Sequence, residues 1–210
     1  DVGAATVERV IDRAGGNPFV LEELLRTLVE GRGDVMPGSV HAVAEARFEA
    51  LDPAHRRLLR AGSIVGRSFT VDALDALLGP DGSREEHLRA LVQREVLLRG
   101  SDQDDARASV YTFRHDLMRE AAYATLTDDD RALAHRLALE WLEHEGEVDV
   151  VALAEHAERG GMRERAITLR ERAATRMLEA SDLEAATTQA ERGVRLGAEG
   201  AVLGALRHVQ

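Results

Sequence analysis

The sequence lacks lysine and cysteine and has few aromatic residues, and these shortages limit the kinds of site and packing that the chain can form. All 27 of its basic residues are arginine. A P-loop site requires the lysine of G-x-x-x-x-G-K-[ST], so this chain contains no such site of its own. Without cysteine it forms neither a disulfide nor a thiolate zinc site, which is typical of a reducing cytoplasm, and we expect a cytoplasmic protein. Aromatic residues make up 3% of the chain, which favours helices packed through small and aliphatic side chains.

Long hydrophobic runs and excess positive charge are also missing. No apolar run approaches the roughly 20 residues of a membrane span, and we expect no signal peptide. The net charge of −11 argues against broad binding to nucleic acid or to an anionic membrane. The 210 residues suit one large domain or two smaller ones. Because the chain starts with Asp1 just ahead of a helical pattern, we expect it to be truncated at the N-terminus.

A helix start near the N-terminus is the first candidate site. Gly16 follows a short helical pattern, Asn17 is a favoured N-cap residue, and Pro18 takes the favoured first helical position. Two interpretations are open from the spacing alone. The three residues form an ordinary helix cap, or the backbone N–H groups there face an anionic ligand while the proline ring lies against a base.

Residues 52–127 have the order of a winged helix, which is three helices followed by a β-hairpin. The apolar spacing predicts helices near 58–65 and 71–78, and a third after Ser83, with Glu86 completing a capping box. Strands are predicted at 96–98 and 110–113, around a polar turn at 101–108.

The rest of the chain is predicted to be helical. The predicted helices span residues 116–126, 128–145, 148–158, 162–179 and 182–196. Small residues at Gly161, Ala166 and Ala173 recur twenty positions later, as they do in tetratricopeptide-like hairpins. The sequence therefore predicts a mainly α fold whose helical array continues beyond Gln210.

His115 is the second candidate site residue. It follows the strand residue Phe113 where the chain turns into a helix. An imidazole there is suited to contact a phosphate, or it ties the hairpin to the next helix as a buried structural residue. Arg114 points to the other face of the strand and is interpreted as solvated.

The remaining histidines indicate no metal site. Those at 135, 144 and 156 lack the i, i+4 spacing of a helical metal pair. The sequence shows no independent set of catalytic residues.

Four phrases, taken in order, resemble bacterial STAND ATPase regulators, which are related to AAA+ and NB-ARC proteins. They are residues 16–24 (GNPFVLEEL), 61–69 (AGSIVGRSF), 113–123 (FRHDLMREAAY) and 153–161 (LAEHAERGG). The resemblance covers about residues 10–200. It implies lid helices at 1–36, a winged-helix domain at 37–127 and tetratricopeptide-like repeats at 128–210.

The resemblance also implies a role for each candidate residue. Pro18 would lie near adenine, while Gly16 and Asn17 shape the turn beside it. His115 matches the histidine that contacts the ADP β-phosphate in NB-ARC proteins. The chain departs from the M-H-D signature of those proteins, because Arg114 replaces the methionine.

An upstream P-loop domain would hold ADP or ATP with magnesium in the intact protein, and this chain alone would neither bind nucleotide tightly nor act as an enzyme. Exchange of ADP for ATP would release the winged helix, and the helical repeats would contact protein partners. Related proteins are fused to adenylate cyclases, serine/threonine kinases or LuxR-type DNA-binding domains.

Two other functions remain open. In a transcription factor, the helix after Ser83 would read DNA, but its arginines at 84, 89 and 94 are offset by glutamates at 85, 86 and 95. This charge balance argues against DNA as a partner for this segment. The other function is a helical-repeat scaffold with no link to a nucleotide.

Overall fold

A computed structural model describes residues 8, 10–12, 14, 16–29, 39–100, 109–146 and 149–209. The protein is mainly α with a small three-stranded antiparallel sheet, which confirms the predicted fold class. The helices are α1 (Pro18–Val29), α2 (Val40–Glu49), α3 (Pro53–Val65), α4 (Val71–Leu78), α5 (Arg84–Gln93), α6 (Asp116–Ala124), α7 (Asp128–His144), α8 (Val150–Arg159), α9 (Arg163–Glu179), α10 (Leu183–Arg195) and α11 (Gly200–Val209). The strands are β1 (Ser68–Thr70), β2 (Leu97–Arg99) and β3 (Val110–Phe113).

Two sequence-based predictions lie outside the described residues. These are the boundary between the 1–36 and 37–127 regions and the polar turn at 101–108. Among the residues that are described, no helix is both long and apolar enough to cross a membrane.

The chain divides into two compact units. The first contains residues 1–70 and 82–125, and the second contains residues 71–81 and 126–210. Helix α4 belongs to the second unit, where it packs against α7 and buries Ala73 and Leu74. Sequence spacing had grouped this helix with the hairpin, because periodicity identifies a helix but does not identify its packing partner.

The sheet carries the aromatic part of the first unit's core. Its strand order is β1-β3-β2, with Phe69 opposite Tyr111 and Leu97 opposite Phe113. The rings of Phe69 and Phe113 meet edge to face, with centroids 5.6 Å apart. Strand β1 was not predicted, because three residues are too few to show an alternating pattern.

Side-chain caps start several helices. The side chains of Ser39, Asp52, Thr127 and Asp182 each accept a hydrogen bond from a backbone N–H in the first turn, as N-cap residues do. The capping box predicted at Ser83 is wrong. Ser83 has helical backbone angles and its side chain makes no capping hydrogen bond.

Small residues let the helices of the second unit pack closely. Its buried cluster consists of Leu139, Val150, Leu153, Ala154, Ala157, Ala166, Leu169 and Ala173. Ala186 and Gly193 on α10 are also buried. Four of the six small-residue positions, at 166, 173, 186 and 193, therefore lie at helix contacts, where alanine and glycine let neighbouring helices approach. The other two, Gly161 and Ser181, are exposed and lie in turns.

The turns between α8, α9, α10 and α11 share one backbone geometry. Gly161, Ser181 and Gly197 follow the three preceding helices with φ of 72°, 61° and 86°. After each, the next N–H donates to a carbonyl five residues back, as at Met162 to Ala157. These are successive Schellman motifs, so the second unit repeats its helix-to-helix connection.

A buried arginine links three helices of this unit. Arg170 on α9 is fully buried and donates to Gln189 Oε1 on α10 at 2.5 Å and to Glu158 Oε2 on α8 at 2.7 Å. A charge buried this deeply requires such partners, because desolvation of an unpaired guanidinium is costly.

Candidate functional site

The start of α1 has the predicted cap. Gly16 has φ of +78°, which favours glycine. The Asn17 side-chain oxygen accepts hydrogen bonds from the N–H groups of Phe19 at 3.0 Å and Val20 at 3.4 Å. Pro18 is exposed at the first helical position. The ligand interpretation needed free N–H groups here, and two of those in the first turn are occupied by Asn17.

His115 lies beside this helix start within the first unit. It occupies the N-cap position of α6, with an extended backbone and no capping hydrogen bond from its side chain. Its ring contacts that of Phe19, with centroids 4.8 Å apart and planes tilted by 49°. The structure therefore brings His115 against the residue that follows Pro18, a contact that the sequence did not reveal.

The imidazole of His115 is in a partly apolar and electrostatically mixed environment. Its Nε2 is 3.7 Å from Glu22 Oε2 and has no hydrogen-bond partner among the described residues. Burial lowers the pKa of His115, and the nearby Arg114 and Arg47 lower it further, while Glu22 opposes them. The lowered pKa favours the neutral ring, whose nitrogens comprise one donor and one acceptor.

Arg114 is not simply solvated, and that interpretation is wrong. Its guanidinium lies 3.3 Å from Glu22 Oε1 and 3.0 Å from Glu95 Oε1. Glu95 in turn accepts from Arg26 Nη2 at 2.8 Å. Arg114 thus connects α1 to Glu95, two residues after the end of α5.

A more deeply buried ion pair lies near Phe19. Arg47 on α2 pairs with Glu23 on α1, donates to the carbonyl of Arg94 at 2.8 Å, and lies 5.9 Å from the centroid of Phe19. This pair fixes the buried face of α1 against α2, and it puts a second guanidinium near His115.

Sequence reasoning missed these partners because each contact joins distant parts of the chain. The only available signal was the i, i+4 placement of Glu22 and Arg26, which puts them on one face of α1. Their partners Glu95 and Arg114 show no pattern in the sequence. These residues come together only when the chain folds.

A second histidine arrangement was also missed. His135 on α7 and His156 on α8 are buried, and their Nδ1 atoms are 3.0 Å apart. Burial, His156 and Arg159 lower the pKa of His135 to about 3. Burial and Arg159 also lower the pKa of His156. Two neutral rings can form a hydrogen bond here if Nδ1 of one ring carries a proton and donates to the unprotonated Nδ1 of the other.

No metal site is formed by the described residues, in which no group of three or more histidine, cysteine, aspartate or glutamate side chains is suitably arranged. The Nδ1 atoms of the histidine pair face each other in the packed second unit, with Arg159 nearby. A neighbouring guanidinium disfavours a further cation.

The charges on α5 bear on the DNA-binding alternative. Arg84 is buried with 2% exposure, and Arg89 turns back to the Glu85 carbonyl. A helix that reads DNA must present several arginines or lysines to phosphates and bases. At least one of the three arginines counted for that role is therefore inaccessible.

Comparison with known proteins finds a distant relative. No model of a known protein family matches the chain, and no solved structure matches it. An uncharacterized protein of Rhizobium meliloti (strain 1021) is 29% identical over 174 residues, which cover 74% of this chain. The match covers 16% of that relative's length, so the chain spans less than a fifth of the protein it resembles.

Proposed function

We propose that this chain couples the nucleotide state of a STAND-type ATPase to the arrangement of its domains. The upstream nucleotide-binding domain would hold ADP or ATP with magnesium. The first unit would dock on that nucleotide through the start of α1 and His115. The second unit would contact protein partners. The chain alone would not hydrolyse ATP, because it lacks a P-loop lysine.

The contact between Phe19 and His115 is the main support for the proposal. The two segments that the family resemblance links to nucleotide meet in space, since Phe19 beside Pro18 contacts His115. A nucleotide held against Pro18 would therefore lie near the imidazole as well. A ligand that binds one arrangement of α1 and the hairpin better than another shifts the population between them.

The surrounding charges support a polyphosphate more than a neutral ligand. Arg114 and Arg47 both lie close enough to His115 to influence its pKa. Glu22 is the carboxylate nearest to His115 Nε2. A phosphate at His115 would compete with Glu22 for Arg114, so nucleotide binding and the α1 contacts would be linked.

The first test is the coding sequence upstream of Asp1. We expect a G-x-x-x-x-G-K-[ST] motif within roughly one domain length, ~100–200 residues. A start codon with no such motif before it would rule out the ATPase proposal.

The second test is nucleotide content and exchange in the intact protein. His115→Ala is expected to speed ADP release and to lower the fraction of protein purified with ADP. His144→Ala is the matched control, because His144 is an exposed histidine at the end of α7. If the two variants release ADP at the same rate, His115 has no nucleotide role.

A helical-repeat scaffold is the second candidate function, and the repeated Schellman turns of the second unit favour it. Binding of a protein partner by the intact polypeptide separates the two candidates. Affinity that stays the same with ADP, ATP or no nucleotide would support the scaffold.

A further inference from the structure

Glu95 has a backbone conformation that is unusual for its residue type. It follows α5 with φ of +57°, and Ser181 is the other non-glycine residue with positive φ in the described part of the chain. Its N–H donates to the Val92 carbonyl, and that of Val96 donates to the Leu91 carbonyl. Glycine is the usual residue at this position of a Schellman motif, so a glutamate here costs stability and calls for a compensating role.

The carboxylate of Glu95 bridges two arginines from different elements. Its Oε2 accepts from Arg26 on α1 at 2.8 Å, and its Oε1 lies 3.0 Å from Arg114 at the end of β3. Arg114 and then Arg26 hold the pKa of Glu95 below its ordinary value. Arg114 continues to Glu22 at 3.3 Å. The four charges alternate in sign, and the chain of contacts begins and ends on α1.

Two charged residues on one face of α1 lie against residues of opposite charge at the base of the hairpin. Glu22 and Arg26 are one helical turn apart, and they meet Arg114 and Glu95 with opposite charges. A shift of α1 by one turn would put like charges together, so the network selects one register. Each pair is partly exposed, with Glu95 at 51% and Arg26 at 36% side-chain exposure. Contacts of this kind are individually weak and are screened by salt.

We infer that Glu95 is an ionic latch that fastens α1 to the base of the β2–β3 hairpin, and that α1 separates from the hairpin more often when the latch is released. Opening would separate Phe19 from His115. Weak, solvent-accessible pairs suit a reversible contact, whereas the buried Arg47–Glu23 pair holds the neighbouring, buried face of α1 against α2. The inference requires no nucleotide and stands if the ATPase proposal fails.

Glu95→Gly is the informative variant, because it should speed amide exchange in α1 without lowering the thermal stability of the first unit. Removal of the side chain releases the latch, while glycine relieves the positive-φ backbone. We expect amide exchange across residues 21–26, measured by mass spectrometry on the intact protein, to rise about two- to five-fold, the factor that such pairs contribute. The thermal midpoint of the first unit is expected to stay the same or rise.

Ser181→Gly is the matched control. It relieves the same type of backbone strain in the second unit and should leave α1 exchange unchanged. Glu95→Gln provides a second variant with the backbone and side-chain shape preserved, and it should also speed α1 exchange. In the wild type, raising sodium chloride from about 0.1 M to about 1 M shortens the Debye length from ~10 Å to ~3 Å and should mimic both variants.

Two results would overturn the inference. One is unchanged α1 exchange in both Glu95 variants, since the carboxylate would then hold nothing. The other is faster exchange throughout the first unit, which would indicate general destabilisation instead of local release of α1.

Discussion

The ring of His115 rests against the ring of Phe19, with their centroids 4.8 Å apart. This contact joins the start of α1 to the residue at the N-cap position of α6. Phe19 is also buried, with 2% exposure, and Arg47 lies near its face. One aromatic side chain therefore supports both candidate site segments.

Phe19→Ala should lower the free energy of unfolding of the first unit by about 3–5 kcal/mol, because truncation of a buried phenylalanine removes its contacts and leaves a cavity. Phe19→Leu should cost less, since much of the apolar volume is kept. Urea unfolding of both variants measures the difference. A loss below about 0.5 kcal/mol for the alanine variant would show that α1 contributes no packing there.

Gly62→Ala should destabilise the first unit by about 1–3 kcal/mol, as overpacking does. A β-carbon at Gly62 would lie 2.5 Å from Cε1 of Phe69, and that ring is itself buried. Gly82→Ala is the control, because a β-carbon there meets nothing within 4 Å. Equal thermal midpoints for the two variants would mean that Phe69 moves aside without cost.

Ser181→Gly should raise the free energy of unfolding of the second unit by about 0.5–1 kcal/mol, because φ of +61° strains a serine but not a glycine. Gly161→Ser tests the equivalent turn in the opposite direction and should lower stability by a similar amount. Chemical unfolding curves check both. The prediction fails if the two substitutions shift stability in the same direction.

Stability should fall with acid because of the His135–His156 pair. The pKa of His135 is lowered to about 3 in the fold, against about 6.5 in an unfolded chain. Between these values the unfolded state binds a proton that the folded state does not, so stability is complete above about pH 6.5 and declines below it. The slope from His135 is about 1.4 kcal/mol per pH unit in this range, and the lowered pKa of His156 acts in the same direction.

Urea unfolding between about pH 7 and pH 5 measures this slope, and the comparison with variants isolates the pair. His55 and His115 also have lowered pKa values and add to the slope of the wild type. His156→Leu should therefore reduce the slope, because it removes one of the two histidines of the pair and an interaction that lowers the pKa of the other. An unaltered slope in His156→Leu would contradict the prediction.

Local signals in the sequence predicted the helices well. The predicted helix at 162–179 is observed as Arg163–Glu179, and the one at 182–196 is observed as Leu183–Arg195. The cap at Asn17 was likewise predicted and is observed. Periodicity, caps and left-handed turn residues act within a few positions, so they can be identified without the fold. The capping box at Ser83 failed because backbone geometry decides whether a side chain can cap.

The candidate site was only partly predictable. Gly16, Asn17, Pro18 and His115 were singled out from their own neighbours and from family resemblance. No local pattern indicated the contact between Phe19 and His115, or that Arg114 would bind two carboxylates. The histidine pair was missed for the same reason, because its members lie on different helices.

The sequence by itself determined the absence of a P-loop lysine, the mainly α fold and the positions of most helix ends, since composition and short-range spacing control these properties. The tertiary structure decided which helix packs with which unit, where α4 belongs, and which charges form the network around Glu95. Those outcomes depend on contacts between residues that are far apart in the sequence and meet only when the chain folds. Such contacts produce no periodic pattern in the sequence.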